Sequence, residues 1–227
     1  MSGYLKSYVA AAMEKDPAAT SKIMVLFTYP GVKALMWHRP ANWCYRHKMK
    51  FLARVISQHV RFWTGIEIHP GATIGKGVFI DHGAGVVIGE TAEVGNNVTL
   101  YQGVTLGGTG KDAGKRHPTI EDNVVIAAGA KVLGPFTVGK GSKIGAGSVV
   151  LKPVPENCTV VGVPGRIVKQ DGKRVDSLNQ VELPDPMLEE LRRINARLTQ
   201  IENLSGINCS RYSIANEENT KLTETTD

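Results

Sequence analysis

Between Ile68 and Val150 an aliphatic residue returns at every sixth position. The row runs Ile68, Ile74, Ile80, then Ile88, Val94, Leu100 and Leu106. After a longer gap it resumes at Ile120, Ile126, Val132, Val138, Ile144 and Val150. A small residue often follows, as in IGKGVF, IGETAE, VGNNVT, IAAGAK, VGKGSK and IGAGSV. Six is neither a heptad nor a helical period, and Gly at this density would weaken a helix by about 1 kcal/mol per residue. It does fit a short strand and a turn. Three such units close one triangular coil, with the aliphatic side chain inside and small residues at the corners. Parallel strands stacked ~4.8 Å apart then make a prism with flat faces and two open ends, which calls for caps and partners.

The pattern changes on either side of this row. Residues 1–63 carry apolar positions at helical spacing, among them Leu35, Met36, Cys44, Met49, Leu52, Val55, Ile56 and Val60. Asp16-Pro17-Ala18-Ala19 predicts a helix start, with Asp16 as N-cap and Pro17 at the first helical position. Tyr29-Pro30-Gly31 should end that helix, and Pro40 should kink or divide the next, which spans Val32 to Trp63. His38, His47 and His59 on these helices read as surface or partly packed. Residues 64–168 form the prism, which the helical segment would cap at one end. Residues 169–227 begin with a polar linker. Met187, Leu191, Ile194, Leu198 and Ile201 then alternate by four and three, predicting a helix over about 187–203. That helix either associates along its seam or lies on the prism. From 205 to 227 little can be buried, and disorder is expected. The fold class is thus α+β, an N-terminal helical region followed by stacked hexapeptide coils, a short C-terminal helix and a disordered tail.

The six-residue count fails twice. Ile80 to Ile88 spans eight residues, through Asp81-His82-Gly83-Ala84-Gly85, and Leu106 to Ile120 spans fourteen, through GGTGKDAGKRHPT. A loop leaving a rigid scaffold can be aimed at a ligand, so chemistry is expected at these breaks. His82 has the residue type of a general base at neutral pH, and needs an acidic partner on its second nitrogen. Glu67, fifteen residues earlier, and Asp81 are the options. Strand alternation would turn Asp81 away from His82 and leave it to substrate. In the second break, Gly107-Gly108-Thr109-Gly110-Lys111 lacks the spacing and following helix of a phosphate loop. A basic loop leaning toward a neighbouring subunit is the better reading, with Arg116 able to hold a carboxylate bidentately. His69, His82 and His117 together would have the makings of a three-imidazole zinc site, although their spacing does not single it out.

Composition narrows the field. The chain has 227 residues and a formal net charge of +6. Its basic residues are spread through the repeat without interleaved aromatics, which disfavours nucleic acid and favours a small anionic cofactor. Cys44, Cys158 and Cys209 are scattered and odd in number, arguing against a disulfide framework and for a reducing, cytoplasmic setting. No apolar run approaches the ~20 residues of a membrane span, and MSGYLKSYVA does not read as a signal peptide.

The run GIEIHPGATIGKGVFIDHGAGVVIGETAEVGNNVTLYQGVTLGGTGKDAGKRHPTI, with IGAGSVVLKPVP and VVGVPGR after it, resembles the serine O-acetyltransferases of bacterial cysteine biosynthesis. The likeness extends from about Asp16 to Val168. It implies a left-handed parallel β-helix and acetyl transfer from acetyl-CoA, as co-substrate, to the hydroxyl of L-serine, with no metal. By position, the resemblance makes His82 the base and sets Glu67 where many members have the Asp that pairs with it. Asp16 and Asp81 match residues that hold the serine ammonium. Arg116 and His117 match contacts to its carboxylate and hydroxyl region. Gly108, Thr109, Ala128 and Lys143 match positions lining the CoA groove between two prisms. A homotrimer with active sites between subunits is implied. Members that dock into cysteine synthase do so through a terminal isoleucine; this sequence ends in Asp227, so that partnership is not expected. The rival readings are acetyl transfer to another hydroxyl (sugar, homoserine or antibiotic) and a non-catalytic β-helix scaffold. The scaffold leaves both breaks unexplained, and a neutral sugar would not need Asp16 and Asp81.

Overall fold

The computed structural model describes residues 3–110, 113–171 and 186–205. It divides into two compact units, Met1–Pro186 and Met187–Asp227. In the first, four helices precede the strands: α1 (Gly3–Lys15), α2 (Lys22–Thr28), α3 (Pro30–Arg46) and α4 (Lys50–Thr64). The strands form three parallel faces. One face stacks β1 (Glu67–Ile68), β4 (Val87–Ile88), β7 (Thr105–Gly107), β10 (Lys131–Leu133) and β13 (Val149–Val150). The next holds β2 (Thr73–Ile74), β5 (Glu93–Val94), β8 (Thr119–Ile120) and β11 (Thr137–Val138). The third holds β3 (Phe79–Ile80), β6 (Thr99–Leu100), β9 (Val125–Ile126), β12 (Lys143–Ile144) and β14 (Cys158–Val161), closed by the antiparallel β15 (Arg166–Gln170).

Every aliphatic residue of the six-residue row is buried, from Leu100 and Leu106 at 0% exposure to Ile68 at 6%. A second row lies two positions before it: Ile66, Ala72, Val78, Val86, Ala92, Val98, Val104, Val124 and Ala130 are buried too. Residues two apart in extended chain share a face, so each short strand sends two side chains inward. Near the far end Ser142 and Ser148 take such positions, and their hydroxyls accept from the backbone N–H of Cys158 and Gly162 at 3.1 and 3.2 Å. A buried hydroxyl is tolerated there because it is hydrogen-bonded.

The helices close the open end. Backbone N–H groups of the first coil bond upward, for example Glu67 N to Val86 O and Thr73 N to Ala92 O, leaving its carbonyls at the bare edge. Side chains from the helices meet them. Ser57 donates to Ile68 O at 2.9 Å, Asn42 to Pro70 O at 2.8 Å, His38 to Ala72 O at 3.1 Å, Arg39 to Ile74 O at 3.2 Å and Tyr8 to Gly75 O at 3.2 Å. Unpaired buried carbonyls are costly, and this set of donors is the physical content of the cap.

Two local expectations are corrected. Asp16 caps no helix: Oδ1 accepts from Ala18 N at 2.8 Å within a turn, and the following helix is capped by Ser21, whose Oγ accepts from Met24 N at 3.1 Å. The segment from Val32 to Trp63 is indeed two helices, but the break is not at Pro40: α3 runs through the proline and ends near Lys48, which has a left-handed backbone (φ 65°). On α4 the apolar positions Leu52 and Val55 are about half exposed. All of α5 (Pro186–Ser205) but its first residue belongs to the second unit, where a helix over about 187–203 is expected. The segment expected to be disordered, 205–227, lies outside the described residues apart from Ser205 at the end of α5.

Candidate active site

Strand register measures both breaks. A regular coil is eighteen residues, as Thr119 beside Thr137 and Lys131 beside Val149. The first coil is longer by the slip at 81–85, so Ile80 pairs Leu100. In the coil holding the second break, Val94 pairs Ile120. The first slip leaves the prism at the corner between β3 and β4, and the second at the corner between β7 and β8.

At the first corner the chain tightens through Gly83 N to Asp81 O and Ala84 N to His82 O, each 2.6 Å. His82 sits at φ 55° and Gly83 at φ 51°. Left-handed backbone at a residue with a side chain carries strain of order 1–3 kcal/mol and recurs where function fixes a conformation. The sharp turn also defeats strand alternation. Asp81 does not point away: Asp81 Oδ1 lies 3.8 Å from His82 Nε2, an ion-pair distance too long for a hydrogen bond. The His82 side chain is 78% exposed and that of Asp81 23%. Burial, with Asp16 nearby, pushes the Asp81 carboxyl above its ordinary value against the pull of His82. Tyr29 donates to Asp16 Oδ2 at 2.6 Å, and that bond holds the phenol up at about 12. Asp16, Asp81 and Tyr29 thus gather beside His82, although 65 residues separate the two aspartates in sequence. Two carboxylates so placed suit an ammonium group.

Glu67 begins the face next to this corner. Gly85 N bonds to Gly65 O at 3.0 Å, so the slip stacks on the turn that leads into Glu67. Its carboxylate is engaged by Arg61 of α4 at 3.2 Å, and no hydrogen bond or ion pair joins it to His82 among the described residues. Arg61 was not considered at the sequence level, because nothing in α4 signals which of its arginines turns toward the prism.

The second corner is built on Thr91. Its Oγ1 accepts from the backbone N–H of Arg116 and His117 at 3.0 and 3.1 Å and donates to His117 Nδ1 at 2.9 Å. Thr91 N also donates to His117 Nδ1, at 3.2 Å. Nδ1 is therefore the ring's acceptor, and the proton of the neutral imidazole resides on Nε2. Burial first, then the charges of Arg116 and Lys115, lower the His117 pKa and keep the ring neutral. Gly89 admits it: a Cβ there would lie 2.0 Å from His117 Cδ2. The Arg116 guanidinium bonds Glu90 Oε2, whose partner oxygen Oε1 accepts from Tyr45 OH at 2.5 Å. Lys115 Nζ reaches Thr91 O and Glu93 Oε1, each at 2.8 Å. The triplet Gly89-Glu90-Thr91 is part of the run that carries the family resemblance, but it keeps the six-residue count and so has no role in the sequence reading of the site. His69 lies at this second corner, within electrostatic reach of His117. The zinc reading fails within one protomer, since His82 is at the other corner. Among the described residues no group of three or more His, Cys, Asp or Glu could hold a metal.

The four positions matched to the CoA groove divide similarly. Ala128 and Lys143 lie at or beside the His82 corner; Gly129, Gly147 and their neighbours hold it together through Gly147 N to Ala128 O at 2.8 Å. Gly85, Gly103, Gly129 and Gly147 all take φ near +70° there, and stack with little side-chain bulk along the edge. Gly108 and Thr109 leave β7 at the other corner; a Cβ on Gly108 would lie 2.9 Å from Arg116 O. Lys111 lies outside the described residues.

The sequence-predicted site residues of one prism therefore fall into two groups. His82, Asp81 and Asp16 occupy one corner, Arg116 and His117 the next, separated by a face about six residues wide, or ~20 Å.

Known proteins resemble this chain in sequence and fold. The model for bacterial transferase hexapeptide (six repeats) matches residues 117–152. A serine acetyltransferase of Bacillus licheniformis is 59% identical over 199 residues, covering 87% of this chain and 92% of that protein. The crystal structure of Neisseria gonorrhoeae serine acetyltransferase superposes with a TM-score of 0.73 at 42% identity, over 75% of this chain and 65% of that one. A soybean serine acetyltransferase complexed with serine gives 0.71 at 47% identity, over 73% and 68%. The chain thus spans about two thirds of the solved chains it matches. With relatives this similar over nearly their whole length, and with the fold in common, the chain belongs to the serine acetyltransferase family and is an acyltransferase.

Proposed function

We propose that this chain transfers acetyl from acetyl-CoA to the Oγ of L-serine at sites completed between copies of itself in a homotrimer. The observation that carries this is the division of the site: the base and the carboxylates are at one corner, and Arg116 and His117 at the next. When the His82 corner of one prism faces the Arg116 corner of its neighbour, both ends of an amino acid are met. Asp16 and Asp81 take the ammonium and Arg116 the carboxylate. The Nε2–H of His117 then faces the hydroxyl and carboxylate region as a neutral donor.

His82 removes the proton from serine Oγ as that oxygen attacks the thioester carbonyl. The imidazolium returns the proton to the departing sulfur, so the ring ends as it began. Glu67 stabilises the imidazolium from the adjacent turn. Asp81, at 3.8 Å, is the second reading for that role. Glu67→Gln lowering kcat while Asp81→Asn raises KM for serine supports the first, and the reverse pattern supports the second. The glycine-stacked edge beside Ala128 and Lys143 receives the pantetheine arm of the co-substrate, with Gly108 and Thr109 of the neighbouring prism opposite. The reaction belongs to the cytoplasm, where buried, unpaired Cys44 and Cys158 stay reduced.

The test uses two variants. His82→Ala should lower kcat at least ~100-fold with the trimer intact, the usual scale of losing a general base. Near-normal turnover would overturn the assignment. Mixed with Arg116→Ala subunits, themselves impaired for L-serine, it should regain activity, because every mixed trimer has one interface with both wild-type corners. No recovery would overturn the shared site.

A further inference from the structure

We infer that Tyr45 and Glu90 are positioning residues for Arg116, fixing the direction of its guanidinium and so the enzyme's preference for an acceptor bearing a carboxylate. This rests on the reading that Arg116 binds the serine carboxylate. Arg116 is presented by the long loop of the second break, on a flexible side chain. Its backbone is held by Thr91, which leaves the guanidinium to be fixed separately. Glu90 does so, from the rigid turn after β4, with one oxygen on Arg116 Nη2 and the other on Tyr45 OH. Tyr45 comes from α3, so the helical cap reaches through one carboxylate to the substrate-binding arginine. The phenol is itself braced, with its ring edge-on to His69 at 5.7 Å between centroids and Lys50 Nζ at 5.8 Å from its centre. Gly71 permits the approach: a Cβ there would lie 3.2 Å from both Tyr45 Cε1 and Glu90 Cγ.

The geometry leaves Arg116 able to work. A guanidinium has five N–H donors in a fixed plane; a bond to one carboxylate oxygen leaves donors for another, and fixing the plane fixes where they point. The Glu90 carboxylate remains ionised, since the Tyr45 hydrogen bond first and the Arg116 bond second hold its pKa down at about 2. The Glu90 and Arg116 side chains are 29% and 26% exposed, and Tyr45 and Glu90 line a groove bounded by Thr73, Thr91 and Lys115.

The experiment measures thiol release from acetyl-CoA with L-serine and with serinamide, which has the ammonium and hydroxyl but no carboxylate. Tyr45→Phe and Glu90→Ala should raise KM for L-serine by about 10-fold while leaving kcat within about 3-fold, the signature of lost binding rather than lost chemistry. Their kcat/KM for serinamide should hold, so the ratio of the two acceptors falls. Glu90→Gln, which keeps an acceptor for the guanidinium, should lie between wild type and Glu90→Ala. Glu90→Ala added to Arg116→Ala should cost nothing further. A merely structural role would lower both acceptors together and overturn the inference. If Arg116→Ala leaves the serine-to-serinamide ratio unchanged, the carboxylate reading of Arg116 itself fails. If Arg116→Ala abolishes the ratio and the Tyr45 and Glu90 variants do not, only the positioning role fails.

Discussion

Gly89→Ala tests the second corner without touching a reacting group. The backbone at Gly89 is outside the left-handed region, so alanine adds no conformational strain, only a methyl. That methyl would stand 2.0 Å from His117 Cδ2, 2.1 Å from Nε2 and 2.7 Å from Cγ. Carbon atoms rest at about 3.5–4.0 Å, so the ring must retreat by ~1.5 Å. A retreat of that size breaks the bonds from Thr91 N and Oγ1 to Nδ1, at 3.2 and 2.9 Å, and with them the fixed tautomer. Misplacing a substrate-facing group by ~1 Å costs on the order of 100-fold, and kcat/KM for L-serine should fall by about that much. The assay is thiol release at saturating acetyl-CoA, with melting temperature and oligomeric state measured alongside. His117→Ala should be as impaired, and the double variant Gly89→Ala/His117→Ala no worse than His117→Ala alone, because the clash has gone with the ring. A Gly89→Ala enzyme within about 3-fold of wild type would refute the claim that the packed position of His117 matters, since the displacement above predicts far more.

Two further outcomes depend on pH. Asp81 is held above its ordinary 3.8, chiefly by burial. Protonation removes the charge an ammonium needs, so KM for serine should rise as pH falls toward the raised Asp81 value, and Asp81→Asn should lose that limb of the KM profile. A KM independent of pH in wild type would exclude Asp81 as an ammonium ligand. His38 is buried, with Nε2 on Ala72 O and Nδ1 without a partner among the described residues, and burial lowers its pKa to about 4. Between 6.5, its ordinary value, and about 4 the unfolded chain binds the proton and the folded chain does not. Stability must therefore decline as pH falls through that window. Chemical denaturation from pH 7 to 4 should show His38→Gln with a flatter decline than wild type; equal slopes would rule out His38 as the source.

The sequence by itself determined the architecture, because a six-residue period is a local property. Ile or Val inside and Gly at a corner are demanded by each rung separately, and repetition makes the demand unmistakable. The same regularity made its two failures visible, and hence His82, Arg116 and His117. Tertiary structure decided everything that depends on which side chains meet. Asp16 and Asp81 come together because α1 ends beside the β3 corner, a packing relation no spacing encodes. Asp81 turns toward His82 because two left-handed residues override strand alternation. Glu67 meets Arg61 because α4 lies along its face. Glu90 and Thr91 were hidden by obeying the repeat, for a residue in register gives no signal until the loop it holds has folded onto it. The two corners stand a face apart because a triangular coil cannot bring its own vertices together.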